Sequence, residues 1–313
     1  MNTNTLKKIP RFFKTDYPLT PLARIKTGGR VRYYAQVNTL ENLKQAIAFS
    51  KKSDLPFYVI GNGSNVLIND NEFKGIVITL GDEFKTFSFD YKENKIFVGA
   101  GTSLMQLGSK MAEHGHEGYT YMGVIPGTVG GAITMNAGIN DEEKIQNHFL
   151  SAIVLDPETL EEEKYSLEEM SFDYRKSSIK ISNKIVIKST FNLPEKKEGR
   201  RKQAKKILKQ LLDIRREKQP KNSRTFGSTF KNPKDSNLSA GWLLEESGMK
   251  EVKSGGAMVS REHANWIINT GNATSSDIKK LIETGQKRVL KKFNISLERE
   301  VVFLPEDILK DNR

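Results

Sequence analysis

GVIPGTVGGAITMNAG, residues 123–138, holds five glycines and a proline and is the densest loop signal in the chain. A second glycine turn, GNGSN at residues 61–65, runs straight into the apolar VLI. Glycine permits positive φ and lets backbone N–H groups approach an oxyanion with no side chain between, so both loops suit a phosphate. Neither fits GxGxxG opening a helix with a ribose-binding acid beyond it, and neither ends in the GK[ST] of a P-loop. Alone, GNGSN reads as a tight hairpin; the two loops together favour anion binding.

Outward from these loops the chain alternates strand and helix signals. Residues 38–54 place Leu40, Leu43 and Ile47 on one helical face, with Asn38 and Glu41 spaced as in a capping box. LPFYVI at residues 55–60 reads as a strand leading into the first glycine loop. At residues 95–115 a strand at IFV is followed by Gly99, Gly101 and a helix carrying Leu104, Leu107 and Met111, stopped by Gly115. SAIVLD and KIVIKSTF are further strand candidates. The texture then changes to a basic run, residues 195–221, in which Ile207, Leu211 and Ile214 recur at helical spacing, and a domain boundary is placed at residue 197. Beyond it come RTFGSTFKNP, a short helix in SAGWLLEESG, a helix with a stripe of Ile278, Leu281, Ile282 and Val289, and a last strand in SLEREVVFLP.

With 313 residues the chain exceeds the length at which single cores divide, so several domains are expected. No cysteine is present, which excludes a disulfide framework, an iron–sulfur cluster and a thiolate nucleophile. No apolar stretch nears the roughly 20 residues of a membrane span, and the first residues lack a signal-peptide apolar core, so a cytoplasmic location is expected. Lys and Arg outnumber Asp and Glu by 50 to 38, a surplus of +12 that attracts nucleic acid, anionic lipid or nucleotide-type ligands. The basic run reads more readily as a solvated amphipathic helix than as a nucleic-acid footprint. His114 and His116, with no third ligand in view, read as loop residues, and no metal site is expected.

Seven segments occur in a fixed order: GNGSNVLI, GVIPGTVGGAITMNAG, FDYRKSSIK, GSTFKNP, SAGWLLEESG, GGAMVSREHANWIIN and LEREV. Together, from residue 27 to the end, they make the chain resemble the UDP-N-acetylenolpyruvoylglucosamine reductase family, in its shorter branch. The resemblance implies an α+β architecture: a two-subdomain FAD-binding unit of the vanillyl-alcohol-oxidase type (residues 1–197), an α+β substrate-binding domain (198–296) and a C-terminal strand and tail completing the active site (297–313). It implies non-covalent FAD, NADPH as co-substrate and a monomeric enzyme that reduces UDP-N-acetylglucosamine enolpyruvate for peptidoglycan synthesis. A same-fold sugar or alcohol oxidase is the near alternative, though neither glycine loop has in its core the histidine many of those use to tether flavin. A basic nucleic-acid-binding protein is the distant one.

By the same resemblance Gly61, Asn62, Gly63, Ser64, Asn65, Gly123, Pro126, Gly127, Gly130, Gly131, Asn136 and Gly138 hold the flavin, with Arg215 associated with it. Ser228 falls on the proton-donating position, and Arg175 and Glu300 on the other two catalytic ones. Hydride addition to the enol ether leaves negative charge spreading onto the adjacent carboxylate, so the site needs a cation and a proton donor. Arg175 suits a two-point clamp on that carboxylate, and the Ser228 hydroxyl needs positive charge nearby, from Lys231 or Arg175. Tyr174, Lys218, Lys231, Asn232 and His263 are the expected substrate contacts. Two departures stand out: DEEKIQNH follows NAGIN where aromatic and glycine residues are usual, and Val302 stands where an arginine often follows the Glu-Val pair.

Overall fold

A computed structural model describes residues 9–194, 199–221 and 223–307. The boundary expected at residue 197 and the tail from residue 308 lie outside them. In the first unit β1 (Phe13–Pro18) pairs antiparallel with β2 (Arg30–Val37); α1 (Leu40–Ser53), β3 (Phe57–Val59), β4 (Val66–Ile68) and β5 (Phe73–Leu80) follow. The sheet order is β1-β2-β5-β3, with β5 parallel to both β2 and β3. Leu43, Ala46 and Ile47 of α1 pack on Ala35, Val37, Ile76 and Ile78, as their helical spacing requires. The cap of α1 is Thr39, whose hydroxyl accepts from Asn42 N, and not Asn38. The Asn38 carbonyl accepts from Glu83 N at 3.1 Å.

The second unit is an antiparallel sheet of order β6-β7-β10-β8-β9, built from β6 (Phe87–Asp90), β7 (Lys95–Gly99), β8 (Phe149–Leu155), β9 (Glu162–Ser166) and β10 (Ile185–Asn192). α2 (Leu104–Glu113), α3 (Val129–Thr134) and α4 (Ser178–Ser182) are inserted between its strands. The basic run forms α5 (Arg200–Lys218), which packs on α2 and on the 3-10 segment Glu117–Val124. Its inward positions are Ala204, Ile207, Leu208, Leu211 and then Arg215, whereas Ile214 is 48% exposed. The stripe expected through Ile214 is therefore rotated by one residue, which directs Arg215 inward.

The third unit comprises α6 (Ala240–Glu246), β11 (Lys253–Ser254), β12 (Ala257–Val259), β13 (Ile267–Asn269) and α7 (Ser275–Phe293), with the three strands antiparallel in that order. It shares one hydrophobic core with the first unit, where Ile25, Val31 and Leu67 meet Phe226, Leu243, Ile278 and Val301. Asp70, just after β4, fastens the start of α7 by accepting from Ser275 N at 2.9 Å and Ser275 Oγ at 2.8 Å. Finally β14 (Val302–Leu304) returns to lie parallel beside β4, which carries the C-terminal segment against the GNGSN loop. Among the described residues no helix is long and apolar enough to cross a membrane.

Candidate active site

A cleft of about 1860 Å³ runs between the three units, and both glycine loops line it. The loops are bonded to each other: Ser64 Oγ donates to Pro126 O at 2.9 Å and Asn62 Nδ2 to Gly127 O at 3.2 Å. Asn65 ties the first loop to the C-terminal segment, donating to Glu300 O at 3.1 Å and accepting from Val302 N at 3.1 Å. These side chains thus brace the loops. The N–H groups of Asn62, Gly63, Ser64 and Asn65, by contrast, donate to no protein acceptor among the described residues. Gly63 has φ +56°, and a Cβ there would lie 2.0 Å from Leu22 O, so only glycine lets the loop turn this tightly. A row of free donors on a glycine cradle fits the pyrophosphate of a dinucleotide such as FAD.

The three expected catalytic residues also line the cleft. Arg175 sits at φ +57° in the turn before α4. Its Nε donates to Glu300 Oε1 at 2.9 Å and its Nη2 to Gly138 O at 3.0 Å. The Arg175 and Glu300 side chains are only 21% and 16% exposed. Burial raises the Glu300 carboxyl above the usual carboxylate range, opposed by Arg175, Lys231 and Lys180. The Nε and one Nη2 hydrogen of Arg175 are thus engaged within the protein, while no protein acceptor among the described residues takes Nη1. Ser228 is held by its backbone, bridging to Trp266, while Thr229 O accepts from Glu300 N at 2.9 Å. The Ser228 hydroxyl makes no protein hydrogen bond among the described residues, which leaves it free for a ligand in the cleft.

Pro126, Gly127, Gly130, Gly131, Gly138 and Arg215 also line the cleft. Arg215 donates to Val124 O and lies over the Trp266 ring; burial, with Arg24 nearby, lowers it to about 10. Gly123 does not line it: a Cβ there would meet Leu208 Cδ1 at 2.6 Å, and Gly108 needs the same space, so this glycine permits close packing of α2 and α5. Asn136 is buried and locked, donating to Gln146 Oε1 at 2.9 Å and Asp173 O at 3.1 Å.

The expected substrate contacts lie outside the cleft wall. Lys218 is exposed at the end of α5, and its neighbour Gln219 takes the lining position with a buried Oε1 that has no donor. Lys231 Nζ is 2.5 Å from the exposed carboxylate of Glu298, and its charge also reaches Glu300. Asn232 Oδ1 accepts from Ala240 N at the start of α6, and its own N–H reaches Tyr174 Oη at 3.4 Å. Tyr174 stacks on Arg175. His263 Nδ1 accepts from Asn265 N at 3.2 Å and burial lowers its pKa, which suits a turn-bracing ring. Of the two departures, Val302 extends β14 beside β4, and DEEKIQNH closes a turn around Asn140 that leaves Ile139 on the cleft. Lys180 and Trp266 line the cleft without having been singled out, although both lie within segments already quoted.

Comparison with known proteins places these residues in a family. Residues 219–304 match the model for the UDP-N-acetylenolpyruvoylglucosamine reductase C-terminal domain, and residues 31–159 match an FAD binding domain. UDP-N-acetylenolpyruvoylglucosamine reductase of Protochlamydia amoebophila is 35% identical over 96% of this chain and 97% of its own. That of Caldicellulosiruptor saccharolyticus is 38% identical over 96% of this chain and 94% of its own. The chain belongs to the UDP-N-acetylenolpyruvoylglucosamine reductase family. The crystal structure of the Thermus caldophilus reductase superposes with a TM-score of 0.78 at 32% identity, covering 94% of this chain and all of that one. The α+β fold and the FAD-binding unit expected from the sequence agree with these matches.

Proposed function

We propose that the protein reduces UDP-N-acetylglucosamine enolpyruvate to UDP-N-acetylmuramate at the expense of NADPH, as a cytoplasmic step of peptidoglycan precursor synthesis. The observation that carries this reading is the meeting of Ser228, Arg175 and Glu300 on one cleft with the glycine cradle. Residues 61–65 and 126–131, with Arg215 beside them, would hold FAD, which would supply hydride transfer from NADPH to the enol ether's methylene carbon. Hydride arrival at that carbon places negative charge on the neighbouring carbon and its carboxylate. The free Ser228 hydroxyl gives its proton to the neighbouring, negatively charged carbon. The Arg175 guanidinium, fixed by Glu300 and Gly138 O, offers positive charge to the developing enolate without needing to reorganise. Glu300, its carboxyl raised by burial, keeps Arg175 in place and holds a proton more readily than an exposed carboxylate.

The purified protein is expected to carry flavin released by denaturation, to bleach anaerobically with NADPH, and to regain its colour on UDP-N-acetylglucosamine enolpyruvate. A colourless protein that cannot be reconstituted with FAD would refute the proposal. So would reduced flavin that the enolpyruvyl compound leaves unchanged.

A further inference from the structure

We propose that the N-terminal half of α5 is a docking surface for an anionic phospholipid membrane. Between Arg200 and Lys209 the exposed side chains are Arg200, Arg201, Lys202, Lys205, Lys206, Lys209 and the neutral Gln203, and no acidic residue lies on the stretch. Lys202, Lys206 and Lys209 have no hydrogen bond or ion pair among the described residues. Facing carboxylates are few. Glu117 lies 3.9 Å from Arg200, and Glu113, paired with Lys110 at 3.2 Å, also feels Lys205 and Arg201.

This arrangement works against the helix that carries it. Arg201, Lys205 and Lys209 follow one another at i, i+4, as do Lys202 and Lys206, and like charges at that spacing repel. The first turn holds cations and no acid, the reverse of what the helix dipole favours. Packing does not call for them either, since Ala204, Ile207 and Leu208 face inward. In α7, also basic, cations are instead satisfied within the protein: Lys279 pairs with Glu306, Arg288 donates to Gly248 O at 2.7 Å, and Lys292 lies 3.6 Å from Glu246. None of residues 200–209 lines the cleft, which separates this charge from the ligands bound there. The polyanion it fits presents its own charge as a plane, because the cations stand on the convex flank of one helix over roughly 14 Å. Tyr91, 54% exposed, sits at the end of the stripe: its hydroxyl is 3.5 Å from His114, and a Cβ on the adjoining Gly115 would lie 3.2 Å from Arg201 N. Stacking bases along a strand needs aromatic rings among the cations. A tyrosine beside a basic patch suits the headgroup layer of a bilayer.

The test sediments the holoenzyme with vesicles of phosphatidylcholine alone, or with about 30% phosphatidylglycerol, at about 0.1 M and about 1 M salt. The parent is expected to bind the anionic vesicles at the lower salt, and neither the neutral vesicles nor the anionic ones at the higher. A variant combining Lys202→Gln, Lys206→Gln and Lys209→Gln should lose about 100-fold in partitioning, the scale of three lysines at an anionic surface. It should keep the parent's flavin content and reductase activity, with a melting temperature no lower, since repulsion within α5 is relieved. A control combining Lys280→Gln, Lys287→Gln and Lys291→Gln makes the same change of net charge on α7 and should keep most of the binding. A parent that ignores anionic vesicles at low salt overturns the proposal, as does an α5 variant that binds like the parent. Equal loss in the α7 control overturns it in favour of diffuse net charge. Tighter binding of the parent to single-stranded or duplex DNA than to the vesicles at the same salt assigns the stripe to nucleic acid instead. A lowered melting temperature or flavin content in the α5 variant assigns it to the fold, and either result sinks the proposal.

Discussion

Ser228→Ala separates chemistry from architecture. The Ser228 hydroxyl makes no protein hydrogen bond among the described residues, and its strand is held by backbone bridges to Trp266 and by Thr229 O, which the substitution leaves intact. Removing one oxygen therefore breaks no protein hydrogen bond, and the stability change is expected to stay within about 0.5 kcal/mol. Flavin content should match the parent for the same reason, because the cofactor loops do not depend on this side chain. The two half-reactions respond differently. Bleaching by NADPH needs no proton at the substrate carbon and should keep its parent rate. Reoxidation by UDP-N-acetylglucosamine enolpyruvate needs that proton and should slow by about 10²- to 10⁴-fold, the loss typical of a positioned acid. This corresponds to roughly 2.7–5.4 kcal/mol of barrier. Anaerobic stopped-flow absorbance at the flavin band measures both halves, and thermal unfolding checks the fold. An unchanged reoxidation rate removes Ser228 from the mechanism. Equal loss in both halves, or a large drop in melting temperature, shows instead that the serine supports the flavin site.

Gly63→Ala should lower the flavin-to-protein ratio and the melting temperature together: a Cβ at φ +56° costs about 1–2 kcal/mol and would also lie 2.0 Å from Leu22 O. Full flavin occupancy at unchanged stability contradicts the cradle. Arg175→Met leaves Glu300 without its counterion, so the carboxyl pKa rises further. A raised folded-state pKa contributes stability below the unfolded value that is lost as pH rises through the folded one, so the variant's deficit should grow with pH, towards about 3 kcal/mol. Denaturant titrations of parent and variant at several pH values measure it, and a deficit independent of pH argues against the coupling. His148 packs on Tyr119 at 4.2 Å between ring centroids, and burial holds its pKa below 6.5. Its contribution to stability is therefore present above that value and lost as pH falls towards the lower folded one. His148→Phe should flatten the fall in melting temperature between about pH 7.5 and 5.5, and parallel curves would refute this.

The sequence alone determined the features that depend on neighbours along the chain. Glycine spacing fixed both cleft loops, since a turn's φ requirement is met or failed by the residues in it. Periodicity and stop signals fixed α2, α6 and α7, because the apolar stripe and Gly115 or Gly248 act within a few turns. The ordered motifs were enough to expect Ser228, Arg175 and Glu300 at one site. What only the tertiary structure decided is where each donor and charge goes once distant segments meet. Gly123 reads locally like the other loop glycines, but the approach of α5 makes it a packing residue. Ile214 and Arg215 differ by one position in the same helix, and only the surface of α2 and the 3-10 segment selects which one turns inward. The pairing of Lys231 with Glu298 and the placement of Glu300 against Arg175 follow from the C-terminal segment returning beside residues 229–231. These segments are far apart in the chain, and electrostatic partners across such a junction leave no periodic or compositional trace in the sequence.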